Sequence, residues 1–477
     1  MAGNTSALTA AQLDRATGAI VGMAVGNALG NGYAFDVRPA ASQIQMRAGG
    51  LGAYEEGEWA DDTAMAMPIL EALAAGENLL EDSTQDHVAA RWAQWILSAK
   101  DVAPAIIDVL DGYDPAQGAQ SLRSAAARIY AGGSPASAGN ASLMRTTPIA
   151  LGYLDDPEGL VEAARAYSDL THANPQAAEA CVLWNLGQRH AILTGDFDLA
   201  EGLAWLPEQR QSFWEPLINQ AEVGTPLDFA IHNGWVSQAL QTAWSAMSQA
   251  QDRPEQLADA LRRVIAAGGD TATVTAIAGG MLGARWGVSA IPLDWRRRVH
   301  GWPGMRDCDL VRSAWEAVHG QAWPQTFDPD SPTGPAAALP ADPGVWIGGI
   351  EGLRPLPAGV DAVISLCCIG DAQTPQPAVD ALHHVNVWLI DSDDPADNPN
   401  LDMVAEQTVD MILELRAEGR TVYLHCENGR SRAPFIGALY SARVGDLRAA
   451  QALREIQQVM PQAQPNALFT RFLRASG

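Results

Sequence analysis

The chain has 477 residues, 47% of them apolar, and a formal net charge of −26. That length exceeds one ordinary domain, and the acidic balance disfavours both a nucleic-acid partner, which needs a basic face to displace counterions, and an anionic membrane surface. No apolar run reaches the roughly 20 residues of a membrane span, no secretory signal is expected at the N-terminus, and five scattered cysteines without metal-site spacing (181, 308, 367, 368 and 426) point to a reducing, cytoplasmic setting.

In chain order, the first part reads as helical. "RATGAIVGMAVGNALG" carries Gly22, Gly26 and Gly30 four residues apart, a small-residue stripe on one helix face. "DDTAMAMPILEALAAG" opens on acidic residues and closes at Gly76, as helix start and stop signals do. "NPQAAEACVLWNLGQRHAIL" and "HNGWVSQALQTAWSAM" place Ala, Leu and Trp at helical spacing, and "GGDTATVTAIAGGMLGARWG" begins another small-residue helix at a double glycine. Few stretches alternate with period two, so an all-α domain is expected over residues 1–322.

"WPQTFDPDSPTGPAAALPADPG" holds six prolines and has no helical period. A linker is expected there, over residues 323–342. Residues 343–477 read differently: "GVWIGGI", "VDAVISLCC", "HHVNVWLI" and "TVYLHC" are short apolar runs alternating with helical patterns such as "NLDMVAEQTVDMILELRAEG". That is the signature of an α/β domain with a mostly parallel central sheet.

Two segments of the first part could bind a cation. Asp61 and Asp62 stand side by side at a helix start, where both carboxylates can reach one ion, and Asp270 and Thr273 stand three apart at another. Oxygen-only ligands suit Mg²⁺ or Mn²⁺ and not zinc. The same residue types also cap helices, and each segment by itself is compatible with capping alone.

In the second part Cys426 and Arg432 have C-x5-R spacing, with Glu427, Asn428, Gly429, Arg430 and Ser431 between them. A loop from a strand into a helix can turn successive N–H groups inward around an anion, with the positive helix end behind it. A sulfur at its floor should be stabilised as the thiolate, Arg432 can fork onto two phosphate oxygens, and Gly429 permits the backbone path.

The pattern "HCENGRSR" resembles the signature of the protein tyrosine phosphatase superfamily, closest to its dual-specificity members. The resemblance implies attack by Cys426 on phosphorus, a phosphocysteine intermediate, phosphate held by Arg432 and the loop 427–431, and His425 orienting that loop. It also implies an aspartate acid on a separate upstream loop. "LIDSDDPADNPNL" lies there, with Asp391 the first choice and Asp394 the second. One departure is Ala433, where the family has a hydroxyl that helps the thiolate leave; Ser431 is the possible substitute.

"GMAVGNALG", "WADDTAMAM", "GNASLMRTTPIAL", "LTHANPQAAEAC" and "GGDTATVTAIAGG", in that order, resemble the ADP-ribosylglycohydrolase family. That resemblance implies an all-α fold and hydrolysis of the glycosidic bond of ADP-ribose on a protein or small molecule, with two Mg²⁺ or Mn²⁺ ions. It makes Asp61, Asp62, Asp270 and Thr273 metal ligands and places Asn140 and His172 on the substrate side. Ala60, Ala272, Asn27 and Ala34 depart from the family's oxygen-bearing residues, leaving ligands for one ion at most. The expected protein is a bifunctional hydrolase acting on ADP-ribosylated and phosphorylated substrates. The alternative is a phosphatase regulated or targeted by a helical nucleotide-binding module.

Overall fold

The computed structural model describes residues 8–248, 252–327, 334–375, 379 and 381–476. The chain divides into two units, one formed by residues Gln12–Ile291 and Arg298–Ala322, the other mainly by residues from Trp323 onward. No helix among the described residues is long and apolar enough to cross a membrane.

The first unit is helical apart from a two-residue hairpin pairing His300–Gly301 with Met305–Arg306 and a few isolated bridges. The helices that frame its site are α1 (Ala10–Asn31), α2 (Asp61–Ala74), α3 (Pro157–Asp169), α4 (Pro175–Thr194), α5 (Val236–Ser248) and α6 (Thr271–Trp286). Every residue of α1 from Ala16 to Asn31 is buried. A helix without a solvent face must sit inside the bundle, and the small-residue stripe allows it. A Cβ on Gly22 would overlap the carbonyl of Gly279, and one on Gly283 would overlap that of Gly18. So α1 and α6 meet backbone to backbone, and this close approach fixes the starts of α2 and α6 around the end of α1.

The second unit is built on five strands, β1 (Ala337–Leu339), β2 (Asp342–Gly348), β3 (Ala362–Ser365), β4 (His384–Asn386) and β5 (Val422–His425), in the order β1-β2-β5-β3-β4. Only the β1–β2 pair is antiparallel. Side chains alternate between two cores, as the period of two requires: Ala362, Ile364, Val422 and Leu424 join one, Val363 and Tyr423 the other. Helices α7 (Leu401–Ala417), α8 (Arg432–Gly445), α9 (Ala449–Val459) and α10 (Ala467–Ala475) complete the unit, with Phe435 of α8 stacked on Phe469 of α10 at 4.4 Å between centroids.

The proline-rich stretch is not free chain at its described ends. Residues 337–339 form edge strand β1, and Trp323 Nε1 donates to the carbonyl of Ile369 at 3.0 Å. Edge pairing with one neighbour decides the state of three residues whose own propensities favour no strand. Residues 328–333 lie outside the described residues.

Candidate active sites

Helix α2 starts at Asp61 after Ala60, which has no side chain to cap it. The cap comes from α1: Asn27 Oδ1 accepts from the N–H of Ala60 at 2.9 Å and of Thr63 at 3.3 Å. Two of the helix-start donors are thus met by a neighbouring amide rather than by the aspartates. Asn27 Nδ2 donates to Asp62 Oδ2 at 2.6 Å, while Asp62 Oδ1 is buried without a hydrogen-bond partner among the described residues.

Asp270 is the N-cap of α6, accepting from Thr273 N at 3.4 Å. It also accepts from Asn140 Nδ2 at 2.8 Å, and its own N–H donates to Asn233 Oδ1 at 2.9 Å. Asn233 in turn accepts from Asn140 Nδ2 through its carbonyl at 2.9 Å. Asn140 and Asn233 therefore clamp Asp270 from both sides.

The three carboxyls share one electrostatic problem. Burial first, then the charges of Asp62, Asp270 and Asp101, raises Asp61 well above the usual carboxylate range. Burial and the charge of Asp270 push Asp62 up to about 7, against the hydrogen bonds of Thr273 and Asn27. Asp270 is raised too, chiefly by burial. Asp62 is buried and Asp61 and Asp270 are half-buried. The three disfavour one another's ionisation and supply the oxygen donors a divalent cation takes, but among the described residues their donor atoms do not all gather within 4.8 Å of one another. A separate cluster, His190, Asp198 and Glu201, brings its donor atoms within 4.8 Å of one another. There His190 and Glu201 already pair at 2.5 Å.

His172 lies in the turn between α3 and α4 and is buried. Its Nδ1 is 2.8 Å from Thr171 Oγ1, which accepts from Arg145 Nη2 at 2.6 Å. Burial, then the Arg145 charge, lowers His172 to about 3, so the ring is neutral. Its Nε2 is buried with no hydrogen-bond partner among the described residues.

In the second unit, β5 runs into the loop Cys426–Ser431 and then into α8. Gly429 has φ +66°, and a Cβ there would sit 2.7 Å from the carbonyl carbon of Gly348, so conformation and space both require glycine. The loop is tied down by Cys426 N–H to Gly348 O at 3.3 Å, Ile350 N–H to Glu427 O at 2.9 Å and Gln464 N–H to Arg430 O at 2.6 Å. Cys426 is buried at the loop's start. Arg432 is buried as well, with Nη1 donating to the carbonyls of Leu366 at 3.0 Å and Leu389 at 3.2 Å, and Nη2 3.4 Å from Glu427 Oε2. Its Nε has no hydrogen-bond partner among the described residues. Arg430 is exposed, and Asn428 leaves its Oδ1 buried without a hydrogen-bond partner among the described residues.

The two acid candidates differ in placement. Asp391 Oδ1 accepts from Ser431 Oγ at 2.6 Å and from Asn466 Nδ2 at 2.9 Å, and Oδ2 lies 4.0 Å from Arg432 Nε. Asp394 is exposed and caps a local turn, accepting from Ala396 N at 2.9 Å. The Ser431 hydroxyl donates to Asp391 and accepts from the N–H of Asn466 at 3.2 Å. Sequence reasoning passed over Asn233, Asn466, Ser365 and His384. Of these only Asn466, an N-cap of α10 after Pro465, had a readable signal, and that signal said helix start.

Residues 8–324 match the family model described as ADP-ribosylglycohydrolase. The ADP-ribosylarginine hydrolase Tri1 of Pseudomonas putida (strain GB-1) is 28% identical over 296 residues, covering 60% of this chain and 74% of its own. Dual specificity protein phosphatase 1 of Arabidopsis thaliana is 35% identical over 88 residues, 18% of this chain and 42% of the plant protein, so this chain spans less than half of that relative. A solved ADP-ribosylglycohydrolase-related protein complex is 25% identical at a TM-score of 0.48, covering 65% of this chain and 98% of its own.

Proposed function

The chain belongs to the ADP-ribosylglycohydrolase family, and from that premise we propose a hydrolase with two active sites, one releasing ADP-ribose and one hydrolysing phosphate monoesters. The observation that carries the first is the trio Asp61, Asp62 and Asp270 at two helix starts, with Asn27 capping α2 from another helix and Asn140 and Asn233 clamping Asp270. These carboxylates, with Thr273 Oγ1, would hold Mg²⁺ or Mn²⁺. Such an ion supplies positive charge that orients ribose hydroxyls and a water and offsets charge developing at the glycosidic bond. His172, a neutral buried ring whose Nε2 has no hydrogen-bond partner among the described residues, is the candidate to meet a polar group of the ligand. The substrate class is an ADP-ribosylated protein or small molecule, and the Tri1 relative makes ADP-ribosylarginine the first one to assay.

In the second site the Cys426 thiolate attacks phosphorus and the bond to the leaving oxygen breaks, while Asp391 gives that oxygen its proton. Water then attacks the phosphocysteine, the S–P bond breaks, and Asp391 takes the water's proton. Arg432, with the N–H groups of residues 427–431, would hold the phosphoryl oxygens throughout. Asp391 is the better acid because it touches the loop, whereas Asp394 serves its own turn. Replacing Cys426 by Ser is expected to lower aryl phosphate turnover by roughly 10³-fold or more; unchanged turnover rejects the nucleophile.

A second reading of the first unit has support of its own. Asn27 Nδ2 already occupies one oxygen of Asp62, and the neighbouring Ala60 and Ala272 are buried methyls that bring no ligand oxygen. A site with so few free oxygens would bind ADP-ribose without cleaving it and would target or regulate the phosphatase. Calorimetry with ADP-ribose and Mg²⁺, run beside an ADP-ribose release assay, separates the readings: binding without release supports the module, metal-dependent release the enzyme.

A further inference from the structure

His425 is fully buried, and both of its ring nitrogens have partners. Nδ1 lies 3.3 Å from the carbonyl oxygen of Cys426. Nε2 lies 2.7 Å from Ser365 Oγ, and the same hydroxyl lies 2.9 Å from His384 Nε2. The contact is built into the sheet, because Ser365 and His425 are register partners at the ends of β3 and β5.

The direction of each hydrogen bond follows from what each atom can do. A carbonyl oxygen only accepts, so the proton of His425 sits on Nδ1. Burial, reinforced by the His384 and Arg432 charges, lowers His425 to about 3 and keeps the ring neutral. A neutral ring protonated on Nδ1 has a bare Nε2, which must accept from Ser365. The serine hydroxyl has one hydrogen, so it can only accept from His384, which donates from Nε2.

We propose that His384 and Ser365 form a one-way hydrogen-bond chain that fixes the tautomer of His425 and, through it, the peptide plane that follows the Cys426 sulfur. Both are positioning residues, and the proposal rests on reading Cys426 as the nucleophile. The physical link is the trans peptide: with the Cys426 carbonyl held toward His425, the Glu427 N–H in the same plane points the opposite way. That amide is the first of the loop's donors to an anion. The ionisable groups facing the thiol are Arg432, Cys367 and Tyr423, with the chain neighbours Glu427 and His425 beside it and Asp391 behind Arg432. Of these, His425 is the one that Ser365 and His384 act on directly.

The test uses the full chain. Ser365→Ala is expected to lower kcat/KM for an aryl phosphate roughly tenfold or more, to slow alkylation of Cys426 by iodoacetamide in mildly acidic buffer, and to displace the pH profile. Ser365→Thr, which keeps the hydroxyl, restores all three, and His384→Gln, which keeps a donor nitrogen, stays closer to wild type than His384→Phe. Wild-type rates and profile in Ser365→Ala overturn the proposal. Histidine ¹⁵N NMR of the wild-type chain reads the tautomer without any substitution or catalysis. Protonation of His425 on Nδ1 supports the chain, and protonation on Nε2 overturns it even if Cys426 is the nucleophile. Retained hydrolysis in Cys426→Ser would instead remove the nucleophile reading and leave the tautomer result standing.

Discussion

At the scale of single residues, the first site turns on whether aspartates at helix starts are caps or ligands. Asn27 answers for Asp61 and Asp62 by capping α2 from another helix, which a local sequence window does not contain. The consequence is a pH dependence. Burial and the charge of Asp270 raise Asp62 in the folded chain from the ordinary carboxylate value of 3.8 to about 7. Its protonated form therefore favours folding, and that contribution is lost as pH rises through this window. In chelator, Asp62→Asn should gain stability over wild type on going from pH 4 to pH 7, by an amount on the order of a few kcal/mol, and saturating Mg²⁺ should shrink the gap. A gap that stays constant with pH, read by thermal unfolding, counts against the raised carboxyl. In the second site, Asp391→Asn keeps the acceptor for Ser431 but has no proton to give. It is expected to lower kcat by about 10²-fold and to flatten the alkaline limb of the pH profile. Asp394→Asn should leave both unchanged, and the reverse pattern would move the acid to Asp394.

At the scale of elements, much was legible and some was not. The helical first unit follows from its helical spacing, the mostly parallel sheet from short apolar runs alternating with helical patterns, and the Cys426–Arg432 loop from its spacing between a strand and a helix. The glycine stripe of α1 was visible, but its partner was not: Gly279 and Gly283 lie on α6, about 250 residues away in the chain. Edge strand β1 was hidden inside proline-rich sequence because pairing, not propensity, makes it a strand. The chain from His384 through Ser365 to His425 was equally invisible, since it joins side chains of three different strands. The α1–α6 contact has a sharp consequence: Gly279→Leu must push apart two backbones and should cost about 3 kcal/mol or more. Gly234→Ala, with no atom within 4 Å of the added Cβ, should stay within about 0.5 kcal/mol of wild type. Equal melting of the two variants, followed by tryptophan fluorescence, would refute the close approach.

For the whole molecule, the net charge is −26, and on the proposed function both sites take anionic ligands. Each must therefore create its own positive field locally. On the proposed function the second would do so with Arg432 and the start of α8, while the first, whose charged groups are Asp61, Asp62 and Asp270, would take its positive charge from a bound cation. This difference separates the two chemistries: one should depend on Mg²⁺ or Mn²⁺ and the other should not. The direct measurement is to assay ADP-ribose release and aryl phosphate hydrolysis side by side on the full chain, Asp62→Asn and Cys426→Ser, with metal and with chelator. The expected result is that Asp62→Asn and chelator abolish only ADP-ribose release and Cys426→Ser abolishes only phosphate hydrolysis. Loss of both activities in either variant, or phosphate hydrolysis that survives in Cys426→Ser, would contradict the account.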